Sequence, residues 1–144
     1  KDATMKNITR QLFCASLFGL LSTVAVAELA VIVNPGNGDT LTKDDISSLY
    51  LAKNKSFPNG KNAIPLDRPE GSPLRVEFIT KVVGKDEAQM KAYWSRLIFT
   101  GKGVPPKIVD SDEEVKEMVA RNIDAIGFID AATADDTVKV IAKF

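Results

Sequence analysis

The 144-residue sequence has no histidine and only one cysteine, Cys14. Without histidine the chain can build neither a histidine-based catalytic triad nor a histidine zinc site, and it has no histidine for acid–base catalysis. A single cysteine excludes an internal disulfide framework and a CxxC redox pair. Aromatic residues make up 7% of the chain, which is too few for a platform that stacks single-stranded nucleic acid.

The sequence also lacks an excess of charge of either sign. Its 19 Lys and Arg residues balance 19 Asp and Glu residues, which argues against a protein that binds nucleic acid electrostatically. The apolar fraction of 44% is sufficient for a hydrophobic core, and the length predicts one domain. No nucleophile–base pair has a recognisable spacing, so the sequence predicts no enzyme, no cofactor and no metal.

Residues 5–27 have the pattern of a secretory signal peptide. Two basic residues, Lys6 and Arg10, precede an uncharged, mostly apolar stretch that ends in Ala-Val-Ala, a small-x-small motif typical of cleavage sites. The alternative is a retained membrane anchor, but the apolar stretch is shorter than the about 20 residues that a spanning helix needs. We therefore predict that residues 1–27 are a leader, cleaved before Glu28.

Residues 28–144 are predicted to form one domain that is exported to the periplasm. This segment retains 16 basic and 18 acidic residues. Apolar runs and helix-capping patterns alternate along it, which predicts an α/β fold with a mixed sheet flanked by about four helices. The predicted strands lie at 29–33, 63–66, 125–129 and 138–144, and the predicted helices begin near Thr42, Ser72, Glu87 and Ser111.

The segment Pro65–Arg75 (PLDRPEGSPLR) carries the most informative arrangement of polar residues. A strand ends there, a glycine turn follows, and Ser72 stands where a new helix begins. Helix N-termini favour anions, and arginine guanidinium groups fit tetrahedral oxyanions. Arg68 and Arg75 flank this turn, which makes it a candidate oxyanion site. The alternative is an ordinary capped helix whose arginines are solvated or paired with Glu70 or Asp67.

Several stretches resemble the phosphate-binding periplasmic proteins of ABC importers, in particular a short branch of that family. They are LTKDDISSLYLAK with FPNG, LDRPEGSPLR, AYWSRLIFTGKGVPP and NIDAIGFID. The family has an Arg-x-x-Gly-Ser-Gly-Thr pattern that grips phosphate. The resemblance places its arginine near Arg68, its glycine at Gly71 and its serine at Ser72. Pro73-Leu74 replaces the family's Gly-Thr and removes one hydroxyl and one backbone donor, for which Arg75 is the candidate replacement.

The resemblance implies one lobe of a periplasmic-binding-protein-like fold, because the family's binders are two-lobed and this chain has length for one. It implies a binding protein for phosphate or a similar small oxyanion, linked to uptake or sensing, with a membrane transporter or sensor as partner. A homodimer could rebuild the missing half of the cleft. The alternative is a non-catalytic interaction module of the cell envelope that kept the lobe fold and lost ligand binding.

Two further groups of residues receive a structural interpretation. The acidic residues Asp110, Asp112, Glu113 and Glu114 fit no EF-hand spacing and are predicted to form a capped, solvated helix start. The pair Tyr93-Trp94 lies at helical spacing with Leu97 and Ile98 and is predicted to pack in the core. Phosphate is distinguished from sulfate by a carboxylate that accepts a proton from the bound oxyanion, and Asp67 is the candidate for that acceptor.

Overall fold

A computed structural model describes residues 27–144, and the predicted leader lies outside the described residues apart from Ala27. No helix in this part of the chain is both long and apolar enough to cross a membrane. The strands are β1 (Leu29–Val33), β2 (Ile64–Asp67), β3 (Lys107–Ile108), β4 (Ala125–Asp130) and β5 (Lys139–Lys143), and the helices are α1 (Lys43–Tyr50), α2 (Pro73–Phe78), α3 (Glu87–Phe99) and α4 (Asp112–Arg121).

The five strands form one mixed sheet in the order β3-β2-β4-β1-β5. β2 runs parallel to both β3 and β4, whereas β1 is antiparallel to β4 and β5. The α/β fold with a mixed sheet and four helices is therefore confirmed. The strand missed by the sequence analysis is β3, which has only two residues and follows a Pro-Pro pair that offers no strand pattern.

Both faces of the sheet are covered, and β1 shows how the sequence divides between them. All five of its residues are buried. Successive side chains of a strand point to opposite faces, so Val31 and Val33 pack into the core beneath α1, α2 and α3 while Ala30 and Ile32 pack into a second core beneath α4. This is why the strand appears in the sequence as a continuous apolar run.

The larger core is built around three aromatic rings. The rings of Phe78 and Phe128 stack with centroids 4.1 Å apart, and Tyr50 meets Phe78 edge-on at 4.6 Å. The Tyr50 hydroxyl donates to the Leu66 carbonyl at 2.8 Å and also approaches the Ile126 carbonyl at 3.2 Å. Burial raises the pKa of Tyr50 well above its ordinary value. The hydroxyl is therefore a structural tie between α1 and two strands.

Most helix boundaries follow the predicted capping chemistry. Thr42 and Asp45 form a reciprocal capping box at α1, and Gly84, with φ +73°, ends the π-helical turn Ile79–Val83 that continues α2. α3 begins at the predicted Glu87. Trp94 is buried and Tyr93 is half-buried against the core, which confirms the core packing predicted for this pair, whereas Ile98 is exposed. At α4, Ser111 accepts a hydrogen bond from the Glu114 amide, so the predicted cap is present there.

A buried lysine connects α4 to the loop before β5. Lys116 donates to the Thr133 carbonyl at 2.8 Å and to Asp135 Oδ2 at 3.0 Å. Hydrogen bonds from Thr137, followed by Lys116, lower the pKa of Asp135 to about 2. Because the unfolded chain binds a proton at Asp135 more readily than the folded chain does, Asp135 stabilises the fold above the ordinary carboxyl pKa of about 4.

We expect the contribution of Asp135 to be lost as the pH falls from about 4 towards 2. Asp135→Asn should therefore unfold at a lower urea concentration than the parent chain at neutral pH, and the difference should close near pH 2. Urea titrations of both proteins across this range measure the effect. Asp136→Asn is the matched control and should follow the parent curve. A difference between Asp135→Asn and the parent chain that does not depend on pH would contradict this assignment.

Candidate functional site

An open cleft of about 440 Å³ lies where the three parallel strands end. Arg68 directly follows β2, Asp110 and Asp112 follow β3, and Asp130 is the last residue of β4. In open α/β sheets, ligands bind outside the carboxyl ends of the strands. Ser72, Glu77 and Ser111 complete the charged and polar lining of the cleft. The fold thus brings two of the predicted site residues, Arg68 and Ser72, to one cleft.

The guanidinium of Arg68 is held by residues that follow β3. It forms an ion pair with Asp112 through Nη1, and Nη2 donates to the Asp110 carbonyl at 3.2 Å. Asp112 also accepts hydrogen bonds from the Asp130 amide at 3.1 Å and the Thr133 hydroxyl at 3.0 Å. The acidic helix start was predicted to be solvated, and for Asp112 this is wrong, because its carboxylate connects three segments at the cleft.

Two polar atoms of the cleft residues have no hydrogen-bond partner among the described residues. They are Nε of Arg68 and Oγ of Ser72, and both are shielded from water. Ser72 occupies the N-cap position of α2, but its side chain makes no capping hydrogen bond. A buried donor without a partner is costly. The pairing predicted for a simple capped helix is therefore absent at Ser72, and both atoms remain able to bind an acceptor.

The glycine of the turn has the backbone shape expected for it but not a free amide. Gly71 has φ +80°, a conformation that favours glycine. Its N–H donates to Glu87 Oε1 at 3.2 Å, and the N–H of Ser72 donates to the Pro69 carbonyl at 3.1 Å. The resemblance implies that the backbone amides after Gly71 hold the ligand, and of these the Ser72 amide is used within the fold, as is the amide of Gly71 itself.

The second predicted arginine, Arg75, points away from this cleft. Its Nε lies 3.2 Å from each carboxylate oxygen of Asp67, and its Nη1 pairs with Glu87. Arg75 lines a smaller cavity of about 190 Å³ together with Glu70, Glu87 and Trp94. The structure therefore separates Arg75 from Arg68 and Ser72, and the alternative of pairing with Asp67 describes its contacts.

Burial and ion pairing act in opposite directions on the pKa values of Asp67 and Arg75. Burial raises the pKa of Asp67 above its ordinary value, against the opposing effects of Arg75 and of the Arg68 backbone amide. Burial also acts to lower the pKa of Arg75, but the neighbouring Asp67 and Glu87 outweigh it and leave that pKa raised. Asp67 is therefore occupied as an ion-pair partner, and Asp110, Asp112, Asp130 and Glu77 are the carboxylates that line the cleft.

Sequence reasoning missed the cleft carboxylates Asp110, Asp112 and Asp130 because they lie at or after the ends of other strands, and it did not single out Glu77 on α2. Asp112 lies 44 positions after Arg68, and no short-range spacing connects the two. The available signal was topological: acidic residues follow both β3 and β4, and parallel strands deliver their carboxyl ends to one edge. Within residues 27–144 no group of side chains has the composition of a metal site.

No family model matches the chain, and no curated protein resembles it closely enough in sequence to count as a relative. Solved structures resemble it in fold. An ABC-type phosphate transport receptor from Vibrio cholerae is 23% identical, with a TM-score of 0.61 over 80% of this chain and 46% of that chain. A proposed phosphate ABC transporter substrate-binding protein from Clostridium perfringens, solved with bound phosphate, is 24% identical, with a TM-score of 0.62 over 80% of this chain and 45% of that chain.

PstS from Borrelia burgdorferi is 16% identical, with a TM-score of 0.59 over 81% of this chain and 47% of that chain. The chain thus spans about half the length of these proteins. The comparisons give no support to the predicted homodimer, and identities this low establish the fold alone. The resemblance seen in the sequence is confirmed at that level: the chain has the α/β architecture of a periplasmic-binding-protein-like lobe, shared with phosphate transport receptors.

Proposed function

We propose that this protein is a non-enzymatic binding protein for phosphate or a similar small oxyanion, with Arg68 and Ser72 as its principal ligand-binding residues. The observation that carries the proposal is the pair of unpartnered buried atoms, Arg68 Nε and Ser72 Oγ, on residues that line one cleft. Both can donate to an oxygen, and a charge-assisted hydrogen bond from a guanidinium is among the stronger polar contacts. The likeness to phosphate transport receptors supports the same ligand class.

The carboxylates that line the cleft determine which oxyanion the proposed site accepts. Asp110, Asp112, Asp130 and Glu77 line the cleft beside a single arginine, so a fully ionised anion meets repulsion there. An oxyanion that carries a proton can instead donate it to a carboxylate and turn that repulsion into a hydrogen bond. Phosphate retains a proton at neutral pH, whereas sulfate does not. The proposal therefore includes a preference for phosphate over sulfate.

The proposed binding is weak. Both unpartnered atoms are shielded from water, so an anion reaches them only when the cleft wall shifts. Each hydrogen bond to a charged group contributes about 1.5–3 kcal/mol, and two of them correspond to a dissociation constant on the order of 1 mM. The proposed cellular role is delivery of the ligand to a membrane transporter or sensor after export to the periplasm through the predicted leader.

Isothermal titration calorimetry of phosphate-free protein tests the proposal. We expect saturable heat with phosphate, weaker heat or none with sulfate, loss of binding in Arg68→Gln and at least about tenfold weaker binding in Ser72→Ala, because a single hydrogen bond to a charged group is removed. Arg121→Gln is the matched control, since Arg121 is exposed and pairs only with Glu117 within its own helix. It should bind like the parent chain.

A second function is favoured by the internal pairing of the site. The Gly71 and Ser72 amides, Arg75 and much of Arg68 are all engaged within the fold, as in an interaction module that has lost its ligand. Absence of heat at several millimolar phosphate, with circular dichroism showing folded protein, would favour that function. Equal binding by the parent chain and Arg68→Gln would also overturn the proposed site.

A further inference from the structure

A second surface, which shares no lining residue with the oxyanion cleft, combines an apolar groove with uncompensated positive charge. The groove has a volume of about 320 Å³ and lies between the segment around the end of α1 and the segment that joins α3 to β3. Its apolar lining consists of Leu49, Ala52, Ala63, Pro65, Trp94, Val104 and Pro106. We call it the Trp94 groove.

The segments that build the groove also carry exposed apolar side chains. Val104 at its rim is 84% exposed, and Phe99 at the end of α3 is 93% exposed, the largest values among the exposed large apolar residues of the described chain. Ile98 and Ile108 are also about half exposed. Exposed apolar residues at the rim of a concave groove and in the segments that build it favour an interaction site over an inert surface.

The two segments that build the groove carry charge of one sign only. Residues 46–66 contain three lysines, residues 88–109 contain three lysines and one arginine, and neither segment contains Asp or Glu. The rest of residues 28–144 holds nine basic and 18 acidic residues. The two segments that build the Trp94 groove are therefore strongly basic within a near-neutral chain, and the acidic residues lie in other segments.

These seven basic side chains are not neutralised within the fold. None of them forms an ion pair with another residue of the described chain. Lys55 lines the groove itself, and Lys53, Lys61 and Lys107 are each adjacent in sequence to a lining residue. We call these four lysines the lysine rim. Their unpaired positive charge attracts partners of opposite charge and speeds association.

We infer that the Trp94 groove and its lysine rim dock an acidic segment of a partner protein, with an apolar side chain of that segment seated in the groove. A concave pocket fits a side chain, whereas a flat bilayer surface would leave it unfilled. The rim selects the acidic flanks of the segment by charge complementarity. A symmetric homodimer through this face is disfavoured, because an isologous contact brings the basic surface against itself. This inference is independent of the proposed oxyanion site.

A fluorescently labelled peptide with a central Leu-Phe pair between runs of Asp and Glu serves as the probe. We expect its anisotropy to rise saturably with protein, its affinity to fall several-fold when salt is raised to physiological strength, and a peptide with Lys at every acidic position not to bind. Trp94 is the only tryptophan of the chain and lines both the groove and the smaller cavity beside Arg75, so a change in its emission on adding unlabelled peptide places the contact near Trp94, and the charge-reversal variants assign it to the groove.

Charge-reversal variants provide the decisive comparison. Lys55→Glu with Lys107→Glu should weaken peptide binding by about tenfold or more, whereas the control Lys43→Glu with Lys143→Glu makes the same charge change elsewhere and should bind like the parent chain. Lys143 lies on β5, at the sheet edge opposite β3. The inference would be overturned if both pairs of variants lost the same peptide affinity or if the basic peptide bound. It would also be overturned if the acidic peptide did not bind, or if the protein bound only to vesicles of anionic lipid.

Discussion

Replacing Asp67 by leucine is expected to lower the free energy of unfolding by about 3 kcal/mol, a large part of the 5–15 kcal/mol typical of a domain. Asp67 is 4% exposed, faces Arg75 through both carboxylate oxygens, and accepts a hydrogen bond from the Arg68 amide at 2.7 Å. Removing it leaves a buried guanidinium with Glu87 as its remaining carboxylate partner. The cost of breaking a buried ion pair comes mainly from the charge that is left behind.

Urea denaturation of a small set of variants measures this effect and its cause. Adding Arg75→Met to Asp67→Leu should recover part of the lost stability, because no buried guanidinium then lacks its partner. Asp136→Leu, at an exposed loop position, is the control and should change stability by no more than about 0.5 kcal/mol. Equal unfolding midpoints for Asp67→Leu and the parent chain would show that the Asp67–Arg75 pair contributes nothing to the fold.

The Asp67 network also shows how far the sequence could predict the candidate site. The turn, its glycine and its two arginines follow from the local pattern in Pro65–Arg75. The directions of the arginines do not follow from it fully. The segment offered Asp67 as a partner for an arginine, but Asp112 and Glu87 come from outside it. Arg68 is fixed by Asp112 at the start of α4, and Arg75 is shared between Asp67 and Glu87 at the start of α3. Such pairings depend on how helices pack over the sheet.

The fold was more predictable than the site because its signals are local. The strand at 29–33 is indicated by a continuous apolar run, and the helix start near Thr42 is indicated by residues within one turn of it. Both predictions are confirmed. What the local pattern lacks is the order of the strands, since β2 pairs with β4 across about 60 residues of chain. The cleft at the strand ends is a consequence of that order.

The close packing of α4 against β4 leads to a prediction about Gly127, which appears in the sequence only as a glycine within a strand. It is buried and pairs with Ile32 in the centre of the sheet. A Cβ atom at this position would lie 2.5 Å from Cγ1 of Val115. The side chain would therefore collide with α4, so we expect Gly127→Ala to lower the free energy of unfolding by about 1–3 kcal/mol.

The effect should extend to the oxyanion cleft, because α4 carries Asp112, the partner of Arg68. If α4 moves outward to accept the methyl group, phosphate binding should change along with stability. Gly38→Ala is the matched control, since a Cβ there meets nothing within 4 Å. It should leave both urea midpoint and phosphate binding close to those of the parent chain.

A second-site variant separates the collision from a general intolerance of side chains in β4. Val115→Ala removes the atom that the new Cβ would strike, so the double variant Gly127→Ala with Val115→Ala should be more stable than the sum of the two single changes implies, with a coupling of about 0.5–3 kcal/mol. Simple additivity of the two changes would mean that α4 is not held at the distance seen here. A positive coupling would show that Gly127 sets the separation of α4 from the sheet and thereby places Asp112 against Arg68.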